Sequence, residues 1–336
     1  MDGKPAIRAE GLVKSFGDVH ALKGIDLLVE EGSVVGLLGP NGAGKTTAIK
    51  VLTTLLRPDA GYAEVAGFDV AKDPAKVRTL IGLAGQAAAV DEMLTGRENI
   101  SLVGRLYHLA KADIDQRGDE LLARFELTDA ADRPAKTYSG GMRRRLDLCA
   151  SLIGRPRILF LDEPTSGLDP RSRLGLWDVI DELVKEGTTV LLTTQYLEEA
   201  DHLAERIAVI DHGSIIAEGA PEELKKKFGG ELLEVRLSQA ADLEAGKRII
   251  HEVINSEVTV HEEEMELSAP LSSDVSVVAE VVRRLDSSSI QIAGLTTRRP
   301  TLDDVFLALT GRASSEEVAL SPKQRKRRRR AEGRDS

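Results

Sequence analysis

The sequence predicts an α/β fold with a parallel sheet, a helical insertion, a small C-terminal α+β domain and a basic tail, and three observations predict it. A glycine-rich phosphate-loop pattern, G-x-x-x-x-G-K followed by Thr, runs from Gly39 to Thr46. It lies between the apolar runs Val34–Leu38 and Ala48–Leu52, which is the strand, loop and helix order that gives the pattern meaning. Two more apolar runs, Ile158–Leu161 and Thr189–Thr194, read as central strands covered on both faces. From about Lys225 the texture changes. Leu233–Leu237 and Met265–Leu267 alternate as half-buried strands, and Asp274–Leu285 repeats apolar residues at helical spacing.

The loop Gly39, Pro40, Asn41, Gly42, Ala43, Gly44, Lys45, Thr46, Thr47 is suited to phosphate because its glycines admit close approach and its amides open a helix N-terminus. Lys45 reaches the terminal phosphates as a compact cation, and the Thr46 hydroxyl is offered to Mg²⁺. Asp162 and Glu163 end the run from Ile158, in the crevice where open α/β sheets bind ligands. Asp162 is placed to hold Mg²⁺, directly or through a water, and Glu163 to polarise an attacking water. A second anion site is expected where Ser139, Gly140 and Gly141 precede the apolar positions Met142, Leu146, Cys149, Leu152 and Ile153, a serine N-cap opening a helix.

In that order and spacing the residues resemble the nucleotide-binding subunits of ABC transporters. Gly39–Thr47 corresponds to Walker A, Ser139–Met142 to the signature and Ile158–Glu163 to Walker B. The resemblance implies a P-loop NTPase fold of the ABC ATPase type, with ATP and Mg²⁺ as cofactors. Phe16 falls where the family stacks an aromatic on adenine. Gln86 falls at the Q-loop, near nucleotide and metal, and Asp169, in Ser166–Asp169, at the D-loop. It further implies a homodimer bridged by ATP, in which Ser139 and Gly141 donate to the partner's γ-phosphate, and a separate multi-span membrane permease whose short helix enters the groove beside the Gln86 loop. At the position after Thr194, where most members carry a switch histidine, this chain has Gln195. A glutamine can orient water yet cannot take up a proton, so Gln195 is expected to position and Glu163 to act as base. The stretches Thr193–Asp201 and Tyr138–Leu148 resemble the daunorubicin-resistance type of drug exporter, which implies efflux of drugs, antibiotics or other lipophilic compounds. A soluble ABC protein acting on ribosomes or nucleic acid is the alternative, and a phosphate-loop protein that binds ATP as a regulatory ligand is a third reading.

The expected domains are an ATPase domain at 5–224, with its helical subdomain at about 87–153, a small α+β domain at 225–312, and a disordered basic tail at 313–336. The C-terminal elements are expected in the order strand, helix, strand, strand, helix, strand, helix. Ile207–Ala217 reads as a hairpin turning at Asp211–Ser214. With 336 residues, 42% apolar content, no apolar stretch of spanning length and no signal-peptide core, the chain is expected at the cytoplasmic face of the membrane, held there by the permease. Cys149, the one cysteine, reads as a small core residue. His20, His108, His202, His251 and His261 show no metal spacing and read as solvated. Ser321–Ser336 carries +6 against −10 for the whole chain, leaving −16 on the rest. Such a tail suits anionic lipid, and nucleic acid is the less favoured partner.

Overall fold

Two sheets frame the phosphate loop. The computed structural model describes residues 5–85, 89–227, 231–271 and 275–310, so Gln86 and the basic tail lie outside the described residues. In chain order the strands are β1 Pro5–Phe16, β2 Val19–Glu30, β3 Val34–Leu38, β4 Ala60–Val65, β5 Phe68–Asp69, β6 Ile81–Ala84, β7 Ile158–Asp162, β8 Thr189–Thr194, β9 Arg206–Asp211, β10 Ser214–Gly219, β11 Glu231–Leu237, β12 Thr259–His261, β13 Glu266–Leu271 and β14 Ile292–Arg298. The helices are α1 Lys45–Leu52, α2 Pro74–Leu80, α3 Gly96–Leu106, α4 Lys111–Arg124, α5 Gly140–Leu152, α6 Pro170–Lys185, α7 Leu197–Leu203, α8 Pro221–Lys227, α9 Leu243–Ile254, α10 Val275–Ser287 and α11 Leu302–Thr310.

One sheet is antiparallel, in the order β2-β1-β4-β5, and the other runs β10-β9-β3-β8-β7-β6. In the second, β6, β7, β8, β3 and β9 are parallel and β10 pairs antiparallel at the edge. The central strands have two buried faces, and alternate residues sort onto them. Val35, Leu37, Phe160 and Leu191 join the core under the antiparallel sheet, with Leu12, Leu22, Ile49 and Leu52. Val34, Leu159, Leu161 and Leu192 join the core of the helical insertion, with Ile100, Phe125, Leu146 and Cys149. That double burial is why these strands read as unbroken apolar runs. Among the insertion helices, α3 begins at a capping box between Thr95 and Glu98, and α5 at Ser139, whose hydroxyl accepts from Met142 N–H at 3.2 Å. Pro74 at the first helical position starts α2, which stays helical through Thr79 and Leu80, so β6 begins only at Ile81.

The chain divides into two compact units after Ala220, with α8 wholly in the second. There β11, α9, β12, β13, α10 and β14 form a split βαβ arrangement with an antiparallel sheet of order β12-β13-β11-β14, the element order expected from the sequence. Leu233, Val235 and Leu237 alternate inward and pack with Leu267, Ile250, Val281 and Leu285. A Cβ on Gly246 of α9 would lie 2.9 Å from Leu267 and 3.0 Å from Leu237, so the helix sits close on the sheet. His261 departs from the solvated reading: it is half-buried, with Nε2 3.4 Å from the buried Ser268 hydroxyl. The other four histidines named are exposed.

Candidate nucleotide-binding site

The loop between β3 and α1 is shaped by two glycines. A Cβ on Gly39 would lie 2.2 Å from the Ile210 carbonyl oxygen. Gly44 has a φ of +115°, open to glycine alone at little cost, and its Cβ would lie 2.5 Å from Ala21 O. The loop then presents Lys45, only 4% exposed, whose Nζ donates to Gly39 O at 2.7 Å and Pro40 O at 3.1 Å and lies 3.4 Å from Glu163 Oε1. Burial lowers the pKa of this ammonium, opposed by the Glu163 and Asp162 carboxylates. Around it lies a cavity of about 340 Å³ lined by Asn41, Gly42, Gly44, Lys45, Thr46 and Thr47, by Val19, His20, Ala21 and Lys23 of β2, and by Glu163 and His212. Phe16 does not line it. The ring is half exposed, at 48%, and pairs with the lining residue Val19 across the β1–β2 turn, under the Lys14 ammonium.

The ends of β7 and β8 supply the acids. Asp162 pairs in register with Thr193 and accepts from its hydroxyl at 2.5 Å, while the same Oδ1 accepts from Thr46 Oγ1 at 3.2 Å. The Glu163 N–H donates to Thr193 O at 3.0 Å and Thr193 Oγ1 at 3.1 Å. Glu163 itself sits at φ +50°, in the left-handed region that costs a side-chain-bearing residue of order 1–3 kcal/mol. That strain is held in place by neighbours at the point where the carboxylate enters the cavity. Thr46 and Asp162 offer a hydroxyl and a carboxylate oxygen side by side, a donor pair that fits Mg²⁺ together with phosphate oxygens and water.

Residues 22–166 match the family model described as ABC transporter, and residues 219–310 match the model of the ATP-binding protein DrrA1-3-like C-terminal domain. The daunorubicin resistance ATP-binding protein DrrA2 of Streptomyces coeruleorubidus is 53% identical over 93% of this chain and 96% of its own. The doxorubicin resistance ATP-binding protein DrrA of Mycobacterium tuberculosis is 45% identical over 91% and 93%. A dimeric ATP-binding cassette solved in a post-hydrolysis state with ADP and phosphate superposes with a TM-score of 0.60 at 25% identity, covering 64% of this chain and 98% of that one. The chain belongs to the ABC transporter ATP-binding subunits of the daunorubicin-resistance type. It is an ABC ATPase.

In this ABC ATPase the signature residues stand apart from the loop cavity. Ser139 and Gly140 are exposed at the start of α5, and neither they nor Gly141 line the space around Lys45. Gly141 instead faces the start of α6, where a Cβ would lie 3.4 Å from Ser172 Oγ and 3.7 Å from Leu168. Asp169 uses both carboxylate oxygens to cap α6, on Ser172 N–H at 3.0 Å and Ser172 Oγ at 2.7 Å, and those bonds lower its pKa. Gln195 follows β8 with a buried Oε1 that has no hydrogen-bond partner among the described residues. Gln86 lies outside the described residues, although Gly85 and Ala89 on either side are within them.

Three buried ionisable groups of this ATPase are missing from the sequence reading. Arg144, 6% exposed, donates from Nε to Pro164 O at 2.8 Å and from Nη2 to Asp162 O at 3.1 Å. Asp147, one turn on, accepts from Ala89 N–H at 2.9 Å, and burial pushes its carboxyl up to about 6. Glu199 of α7 is fully buried, accepts from Trp177 Nε1 at 3.3 Å, and has its pKa raised by burial against that bond. A charged residue in a helix ordinarily reads as solvated. The one signal in the sequence is that Asp147 interrupts the apolar stretch Leu146–Ala150, while Arg144, inside the basic run Arg143–Arg145, carries none.

Proposed function

We propose that this chain is the ATP-hydrolysing subunit of an exporter of drugs, antibiotics or similar lipophilic compounds, working at the cytoplasmic face of a membrane on a separate multi-span permease. The relatives that carry drug-resistance names over nearly the full chain support the export reading. No helix among the described residues is long and apolar enough to cross a membrane, which fits a translocation path formed by another chain.

The observation that carries the catalytic reading is the buried Lys45–Glu163–Asp162–Thr46 constellation at the mouth of the loop. Lys45 would exchange the Gly39 and Pro40 carbonyls for β- and γ-phosphate oxygens, a stronger partner for a buried cation. Phe16 takes the base. The amides of Asn41–Thr47 cradle the phosphates, and Thr46 and Asp162, with Gln86, would hold Mg²⁺, which supplies charge neutralisation on the phosphates. Glu163 accepts the proton of the attacking water, and Gln195, with its buried oxygen open, orients that water. Ser139 and Gly140, which are exposed, and the partly buried Gly141, all away from their own loop cavity, serve the nucleotide of a second copy, and Asp169 borders that interface. ATP thereby bridges a homodimer, and its binding energy shifts the equilibrium toward the closed form.

The test is affinity purification of the tagged chain from membranes of its host. The proposal expects a multi-span protein to co-purify and to change a MgATP turnover that Glu163→Gln abolishes. A preparation that carries no membrane protein and is stimulated by ribosomes or DNA supports the soluble alternative instead. The basic tail, 313–336, is assigned to anionic lipid on its charge alone. Deleting residues after Pro322 should weaken binding to anionic vesicles at low salt.

A further inference from the structure

We infer that Arg144 is a positioning residue for Glu163, a guanidinium that fixes the main chain on both sides of the base and anchors it to the helix bearing the signature. The Asp162 and Pro164 carbonyls flank Glu163, and one planar fork takes both, Nη2 at 3.1 Å and Nε at 2.8 Å. Nη1 of the same group donates to Gly85 O at the end of β6. Asp147, three residues along α5 and 3% exposed, has Oδ2 at 3.5 Å from Nη1, and its other oxygen holds Ala89 N–H. This pair therefore grips main chain at Gly85, Ala89, Asp162 and Pro164 from a single helix face.

Stability alone is a poor reason for such a pair, because burying two charges costs as much as their attraction returns and an apolar pair would pack as well. Geometry is the better reason. Glu163 adopts a left-handed conformation, and the direction of its carboxylate follows the orientation of the two peptide planes around it. Thr193 secures the N–H of Glu163 from β8, and from α5 Arg144 secures the Asp162 carbonyl of that same peptide and, one peptide beyond the Glu163–Pro164 bond, the Pro164 carbonyl, while Ser166 N–H donates to Glu163 O at 3.2 Å between them. With both in place the direction in which the base leaves the main chain is fixed. Since Ser139 caps α5, the base and the signature end of the helix are parts of one hydrogen-bonded body. A lysine could not replace this fork, because one ammonium cannot serve two carbonyls and a third at fixed angles in a plane.

The inference rests on the assignment of Glu163 as base in an ATP-bridged dimer, and the full-length chain can separate the two. The measurements are kcat, the dissociation constant for MgATP, and dimer formation at saturating MgATP by light scattering, for parent, Glu163→Gln, Arg144→Gln and Arg144→Lys. Displacing a reacting group by a fraction of an ångström should lower kcat of Arg144→Gln at least about tenfold while the dissociation constant stays within about threefold. The unhydrolysed nucleotide should then trap Arg144→Gln as a dimer, as it traps Glu163→Gln, which a merely structural lesion would not do. Arg144→Lys should remain impaired. The inference is overturned if Arg144→Gln keeps kcat within about twofold of the parent. It is equally overturned if lysine restores full turnover, or if affinity and dimer are lost together with turnover. Failure of Glu163→Gln itself to dimerise would count against the two-half-site assignment, and the kcat of Arg144→Gln would still decide the role of Arg144.

Discussion

Compared side by side, the ATPase unit and the C-terminal unit bury apolar side chains by the same rule and polar ones by different rules. Both lay alternating strand residues against helices, Leu37 and Phe160 in one, Val235 and Leu267 in the other. Yet Lys45, Arg144, Asp147, Asp162, Glu163 and Glu199 are all buried in the first, whereas among the described residues of the second the one buried polar side chain is Ser268. Left-handed residues occur in both units, and what differs is where they stand. Asn255 caps the end of α9, a position that tolerates it, while Glu163 holds that conformation inside a binding cavity. Buried charge is costly, so its concentration in one unit, around a base held in a strained conformation, marks where folding has been compromised for chemistry.

The comparison can be broken at several places. Replacing Lys45 by Ala should lower ATP turnover by about a thousandfold, in line with removing a charged transition-state partner from a buried site. Retained turnover would mean the buried cation is structural. Leu267→Ala should destabilise the second unit by about 2–5 kcal/mol in a denaturant titration and leave MgATP affinity of the first unchanged. Loss of affinity there would deny that the two units divide the labour.

Asp147 sharpens the contrast through pH. Burial raises its folded pKa to about 6 from 3.8, so its contribution to stability is full below about pH 4 and is lost as pH rises through about 6. Thermal melts should therefore show Asp147→Asn gaining on the parent between pH 4 and 7 by about 1–3 kcal/mol. A constant difference across that range would contradict the assignment. In the second unit the comparable polar cluster is only partly buried: Arg298 of β14 bonds Glu234 of β11 and Asp304 of α11, the latter at 2.6 and 3.0 Å. Arg298→Met should cost only about 1–2 kcal/mol of that unit's stability, read from the same denaturant titration.

Most of this fold is legible in the chain because its signals are local. Gly39–Thr46 names its own strand and helix, Ile158–Asp162 reads as a doubly covered strand, and the turn at His212 and Gly213 closes the β9–β10 hairpin as expected. Even the order of the C-terminal elements follows from period-two and helical spacing. The site is legible only as far as its motifs run. Lys45, Thr46, Asp162 and Glu163 come together as expected, but the left-handed backbone of Glu163 depends on Thr193 and Arg144, which are far from it in sequence. Arg144 and Asp147 escape notice because a charged helical residue looks solvated until the strand ends it grips have been placed beside it. Phe16 lies near the cavity without lining it, since an exposed ring at a hairpin end has no contact in one chain alone to define its role.

The central claim is that Glu163 is the base of an ATP-bridged dimer, and the most direct measurement is the paired behaviour of Glu163→Gln with MgATP. The prediction is unchanged nucleotide affinity, a stable dimer at saturating MgATP and no measurable phosphate release. Phosphate release at the parent rate would contradict it.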